Sequence, residues 1–303
     1  MSSSPSIPSA VAPDSLRRRV ALYRALSLLL AVSLLAVLVA VKRAMTVPED
    51  PEVEVFDVPA VFERLAAKDP EAADVSDTFF FADGSTVHLH VMGRGQACPL
   101  HIHRRTHEAT VIVAGKAEVQ QRWGEGGTTL QERRGTHLPG ELIASAPFTG
   151  HAWFNRDSER MLGNLVFAAP RFDGNLYVDA DDPRMARGRA PFTFDPVQAL
   201  AELEASGRDV SLVPFPVMET ARMGAIVLEK GEHLVEASRE QPLILYVARG
   251  SGVVALDDTR PMKEGQLWVL RRRGTVRPDE GASLVLYLFV PPLAPPAEVA
   301  RGG

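Results

Sequence analysis

The sequence predicts an all-β body of two barrels, each introduced by a short helix, behind one N-terminal transmembrane helix. Three observations predict it. Short runs of alternating apolar and polar residues are punctuated by Gly, Pro, Asn and Asp, the pattern of antiparallel sandwiches and barrels. The runs occur twice in the same order, each set behind one amphipathic stretch. Near the N-terminus lies one long uncharged run with basic flanks.

Residues 1–19 are rich in Ser and Pro and poor in large apolar side chains, which predicts a disordered cytoplasmic tail. Arg17, Arg18, Arg19 and Arg24 precede an uncharged run over 25–41, closed by Lys42 and Arg43. Seventeen helical residues reach about 26 Å, near the lower limit for a bilayer core. Starting at Val20, with Arg24 snorkelling to the interface, gives a comfortable span over 20–41. A cleaved signal would need a better small-x-small site than Leu38-Val39-Ala40, and a buried helix would have nothing to pack against. The excess of basic residues before the run places the N-terminus in the cytoplasm and the body outside, in the periplasm.

A linker and short helix follow over 42–77, a first barrel over 78–172, a linker and second helix over 173–209, a second barrel over 210–293, and a tail over 294–303. Asp57-Val58-Pro59 and Asp195-Pro196 each supply an N-cap and a first-turn proline for the helices VPAVFERLAA and PVQALAELEA. The repeat pairs residues 85–95 with 221–231, 111–119 with 245–254, 140–144 with 265–269 and 165–170 with 287–292.

Composition narrows the function classes. Residues 1–43 hold six Lys or Arg and one acid, leaving 27 basic and 37 acidic residues in the body, which disfavours nucleic-acid binding. The lone cysteine, Cys98, permits no internal disulfide. It precedes the richest stretch of the chain, GQACPLHIHRRTHEATVIVAG (95–115). Strand alternation puts His101 and His103 on one face, a polar turn follows, and His107 and Glu108 open the next strand. His151, in PFTGHAWFN, is a further candidate from a distant strand. Three imidazoles and a carboxylate suit one divalent transition metal, Fe, Mn, Zn, Ni or Cu, and leave positions for water or substrate. Ile112, Trp153 and Phe154 are expected to line the pocket. Cys98 is expected to be simply buried, and His88, His90 and His137 to divide between hydrogen-bonded burial and the surface.

These residues resemble the first motif of the cupin family. Gly95, His101-Ile102-His103, Glu108 and Gly115 fit its spacing at every position, and the six-residue run to Gly115 selects Glu108 over His107. Gly140, Pro147, Gly150, His151 and Asn155 resemble the second motif, with one extra residue before Pro147 and with Gly150 abutting His151. The resemblance implies two jelly-roll (double-stranded β-helix) barrels, with the metal on His101, His103, Glu108 and His151. Aligning the second barrel on Gly231 and Gly250 puts Ala237 and Arg239 at the histidine positions and Leu243 at the glutamate. The second barrel is therefore expected to hold no metal and to serve as a structural partner, with an inward Arg239 leaving an anion pocket open. Two-barrel cupins include dioxygenases, decarboxylases, isomerases and storage proteins. The expectation is a membrane-anchored metal enzyme on a small molecule, an oxidoreductase of dioxygenase type before a lyase or isomerase, with Glu108 catalytic. The alternative is a non-catalytic extracytoplasmic protein that binds or senses a metal or small ligand. Expected partners are a small molecule and the membrane, with self-association open.

Overall fold

Period-two alternation becomes strands throughout the body. The computed structural model describes residues 51–68, 75–82, 85–127, 129–157, 159–170, 172, 174–218 and 221–292. The expected tail over 1–19, the membrane helix over 20–41 and the tail over 294–303 lie outside them. Among the described residues no helix is long and apolar enough to cross a membrane.

In chain order, the elements begin with β1 (Val53–Asp57), α1 (Val58–Lys68), β2 (Val75–Ala82), β3 (Ser85–Met92), β4 (Ala97–Ile102), β5 (His107–Ala114) and β6 (Ala117–Trp123). They continue as β7 (Gln131–His137), β8 (Leu142–Ser145), β9 (Gly150–Phe154), β10 (Leu162–Ala169), β11 (Leu176–Tyr177), a 3-10 turn (Pro183–Arg187) and β12 (Phe192–Phe194). The rest is α2 (Pro196–Ser206), β13 (Val210–Pro214), β14 (Arg222–Leu228), β15 (His233–Val235), β16 (Leu243–Ala255), β17 (Thr259–Lys263), β18 (Gln266–Leu270), β19 (Gly274–Pro278) and β20 (Leu284–Val290). Both helices start where their caps predict. Asp57 Oδ1 accepts from Ala60 N at 2.9 Å, and Asp195 Oδ1 accepts from Val197 N at 2.8 Å.

In the N-terminal half, one antiparallel sheet runs β12-β8-β5-β10-β3-β2 and a second runs β11-β4-β9-β6-β7. In the C-terminal half, β1-β18-β16-β20-β14-β13 form one path, and β15, β17 and β19 extend from it through β16 and β19. The order is the same in both: β8, β5, β10 and β3 stand as do β18, the first half of β16, β20 and β14. Two matching glycines mark the same close approach. Gly115 (φ +75°) stands just past the end of β5, and Gly250 (φ +84°) stands at the corresponding point midway along the longer β16. A Cβ at Gly115 would stand 2.5 Å from Met161 O, and one at Gly250 would collide with Ser283 O.

Two segments expected as linkers are strands. Residues 53–57 pair with β18, more than two hundred positions away, and 192–194 pair with β8. The reason is visible in VEVFD: the alternation is strand-like, with Phe56 turned to the core between the halves and half-buried Glu54 held by Arg271 at 2.6 Å. Each half thus lends its leading strand to the other.

The central strands of the large sheets are buried on both faces. Outward-facing Val87, Leu89, Val111, Leu165 and Phe167 share one apolar core with Ile244, Val285, Tyr287 and Phe289, and α1 adds Val58, Val61, Phe62 and Leu65 at helical spacing. Phe167 and Phe289 meet with ring centroids 5.5 Å apart. The inward faces are filled differently in the two halves. Around β16 the interior is apolar, with Leu243, Leu245, Val247, Trp268, Leu284 and Leu286. Around β5 it is polar, and there the site lies.

Candidate metal centre

Alternation on β4 sends His101 inward and carries His103, just past the strand end, to the same side. Strand pairing places His101 directly opposite His151 on β9. The His101 and His151 rings are 4.2 Å apart between centroids, and His103 lies 5.2 Å from each. All three are buried. One ligand atom from each lies within 4.8 Å of the others, among the described residues a geometry met by this trio alone, and one that could hold a metal ion.

Each imidazole is held from behind. Nδ1 donates to Pro99 O from His101 (2.8 Å), to Gly174 O from His103 (3.0 Å) and to Thr149 O from His151 (3.1 Å). A carbonyl only accepts, so each Nδ1 carries a proton and Nε2 is the side that can bind metal. Burial pushes the His151 imidazolium down to about 3, helped by the neighbouring His101, and burial lowers His101 as well. Both are therefore neutral near pH 7, the form a metal requires.

Glu108 opens β5 with its side chain inside. Its carboxylate stands 3.2 Å from His103 Nε2 and 3.5 Å from His151 Nε2, and Thr110 Oγ1 donates to it at 3.3 Å. Burial pushes this carboxyl up, but the hydrogen bond and charge of His103, with the other two imidazoles, hold it well below the usual carboxylate range. Glu108 does not itself belong to the tight trio. His151 Nε2 has no hydrogen-bond partner, an unmet buried lone pair of the kind a cation satisfies. The donor set fits a divalent transition metal.

His107, the sequence rival of Glu108, faces the other way: its Nδ1 donates to Val217 O at 2.6 Å in the core between the halves. Adjacent strand residues cannot share a face. The same rule corrects Phe154, which lies on the opposite side of β9 from His151 and Trp153, with the Arg156 guanidinium 4.4 Å from its ring centre. Ile112 is closed within an apolar cluster beside the site. Trp153 does line a cavity of about 320 Å³ that reaches His101 and Glu108. His88 and His90 line it too, where the sequence reading expected them to divide between hydrogen-bonded burial and the surface. The signal was present in VHLHV, since the i, i+2 spacing that joins His101 to His103 also joins them. Cys98 is half-buried on the same wall, its Sγ 3.6 Å from His101 Nδ1. Asn155 is a brace: its Nδ2 donates to Gly93 O and Arg160 O at 3.0 and 2.8 Å. His137 Nδ1 meets Glu141 Oε2 at 2.8 Å, away from the site.

Arg239 is a correction. It is exposed, 3.8 Å from Glu52, because β15 ends at Val235 and the loop carries Arg239 outward. Leu243, at the glutamate position, is buried in the apolar interior.

No protein-family model matches the sequence, and no curated protein matches it. Solved structures do. A cupin 2 conserved barrel domain protein from Leptotrichia buccalis is 12% identical, with a TM-score of 0.54 over 78% of this chain and 96% of its own. This chain has the cupin fold. Salicylate 1,2-dioxygenase from Pseudoaminobacter salicylatoxidans is similar over more of the cupin-fold chain. A variant in complex with gentisate is 13% identical, with a TM-score of 0.57 over 95% of this chain and 94% of that one. Adducts of the same enzyme with gentisate give 14% identity and a TM-score of 0.56, over 94% and 92%.

Proposed function

We propose that the chain is a metal-dependent enzyme of dioxygenase type, acting on a small molecule in the barrel formed by residues 78–172. One divalent transition metal is held by His101, His103, His151 and Glu108, and the barrel over 210–293 is a metal-free structural partner. The convergence of three buried imidazoles, each pinned through Nδ1, beside a cavity that His101 and Glu108 line carries this reading. The fold shared with salicylate 1,2-dioxygenase supports the reaction class.

When bound, the metal supplies Lewis acidity, open coordination positions and, as Fe, Mn or Cu, the redox chemistry that dioxygen needs. The chain supplies the rest. The carbonyls of Pro99, Gly174 and Thr149 fix the imidazole planes, so little reorganisation is needed on loading. Glu108 offsets the ionic charge and offers an acceptor at the cavity, with its orientation set by Thr110. Trp153 and Phe172 supply apolar wall and restrict water.

The test measures metal content and oxygen consumption across a metabolite panel. Glu108→Gln keeps size and removes charge, so kcat is expected to fall by about 100-fold or more while KM moves less, because the loss falls on the reacting state. A wild-type chain that binds metal and holds ligand unchanged for hours would instead be a binding protein.

We also propose that the chain is anchored by one span over 20–41, with the barrels outside the cytoplasm. The uncharged run and its basic flanks support this. Alkaline phosphatase fused after residue 45 is expected to be active; an inactive fusion would reverse the orientation.

A further inference from the structure

The wall facing the imidazoles carries a polar group that neither the metal nor the fold uses. Asn164 sits on β10, opposite His90 of β3 on one side and Ile112 of β5 on the other. His90 in turn stands opposite Ser76 of β2, so one row crosses the sheet and turns into the barrel. Ser76, His90 and Asn164 all line the cavity that holds His101 and Glu108. Asn164 is 3% exposed, and its Oδ1 has no hydrogen-bond partner. A buried acceptor left unmet is destabilising, so such groups in native proteins call for a partner.

The second barrel shows that the fold does not need an amide here. Asn164 pairs with Ile112, three residues before Gly115; Leu286 pairs with Val247, three residues before Gly250. Leu286 is fully buried in an apolar interior and completes that wall without a polar atom. An amide where a leucine suffices costs stability and returns something only when a donor arrives from the cavity.

We propose that Asn164, flanked by His90 and Ser76, forms a second substrate subsite in which Asn164 Oδ1 accepts a hydrogen bond from a hydroxyl remote from the substrate's metal-binding end. The proposal rests on the metal-centre reading for the first end and assigns the second. The substrate class is then a small bifunctional compound, an acid or enol at one end with an alcohol or phenol hydroxyl across the cavity. A site built to meet a hydroxyl discriminates strongly against the analogue that lacks it.

The experiment titrates the full-length chain, metal-free and loaded with Zn²⁺, with ω-hydroxy carboxylates of three to six carbons and with the parent carboxylates. Metal content is measured on every sample. At one chain length or more, the hydroxylated probe is expected to bind roughly 5- to 50-fold tighter than its parent. Asn164→Leu is expected to bring that ratio to one and to leave metal content and parent affinity unchanged. It should also raise Tm by roughly 2–4 °C, since an unmet polar atom is removed. Asn164→Asp, which keeps an oxygen acceptor, should retain the preference and guards against a leucine variant that fails to fold. No preference at any length, a preference that survives Asn164→Leu, or a lowered Tm in that variant would each overturn the subsite. A chain that takes up no metal sinks the metal-centre reading alone, because the hydroxyl preference is still read on the metal-free protein.

Discussion

His101→Ala/His103→Ala is expected to take metal content from about one ion per chain to below about one tenth, with turnover lost in step. The two residues supply two of the three imidazole nitrogens that converge on the site, and what remains, His151 and Glu108, is a single imidazole and a carboxylate. Loss of an outer partner of a ligand alone weakens binding by about 10- to 100-fold, so loss of two ligands exceeds that by a wide margin. The fold should survive, because both side chains face the barrel interior and take no part in the core between the halves. Arg239→Ala is the matched control: Arg239 is exposed beside Glu52, and its removal should leave metal content unchanged. Metal analysis of chelator-free protein, with circular dichroism on the same samples, reads both effects. Retention of metal by the double variant, or two ions per chain in the wild type, would refute the assignment.

Much of the site was legible because its logic is local. His101, His103 and Glu108 sit within eight positions, and strand alternation with one turn fixes which of them face inward. It lets only one of Glu108 and His107 face inward; the resemblance to the cupin motif, through its spacing to Gly115, picks Glu108, and the structure turns the His107 ring to Val217. The helices were legible from Asp57 and Asp195 with their prolines. What was hidden depends on partners far away in sequence. β1 finds its neighbour in β18, and no local pattern in VEVFD names Gln266–Leu270 as that partner. Arg239 was placed inward by aligning glycines, but the gap between them had lost strand length, and alternation has no meaning in a loop. Asn164 was invisible for a subtler reason. A polar residue in LGNLVFAA reads as a tolerated exception until the register shows that its face is the cavity and that its counterpart is Leu286.

Phe289→Ala is expected to destabilise the whole body by about 3–5 kcal/mol, the usual cost of truncating a buried aromatic. Phe289 is fully buried and meets Phe167 of the other half at 5.5 Å, in a core that draws on both large sheets. The lent strands tie the halves further, β1 into the C-terminal sheet and β12 into the N-terminal one. Neither half can therefore unfold without exposing the outer sheet face of the other, and one cooperative transition should result. At roughly 2–4 °C per kcal/mol, Tm falls by about 6–20 °C. Below the transition, metal content should stay at the wild-type level, because Phe289 lies on the far side of the sheet from the imidazoles. Excess metal should raise the variant's Tm, since only the folded state offers the assembled site. Phe81→Ala removes the same ring from a position 69% exposed and is expected to change stability by less than about 0.5 kcal/mol. Calorimetry of the two variants, with and without metal, separates the readings. Two resolved transitions in Phe289→Ala, with metal released only at the second, would mean that the barrels fold independently and that the shared core does not couple them.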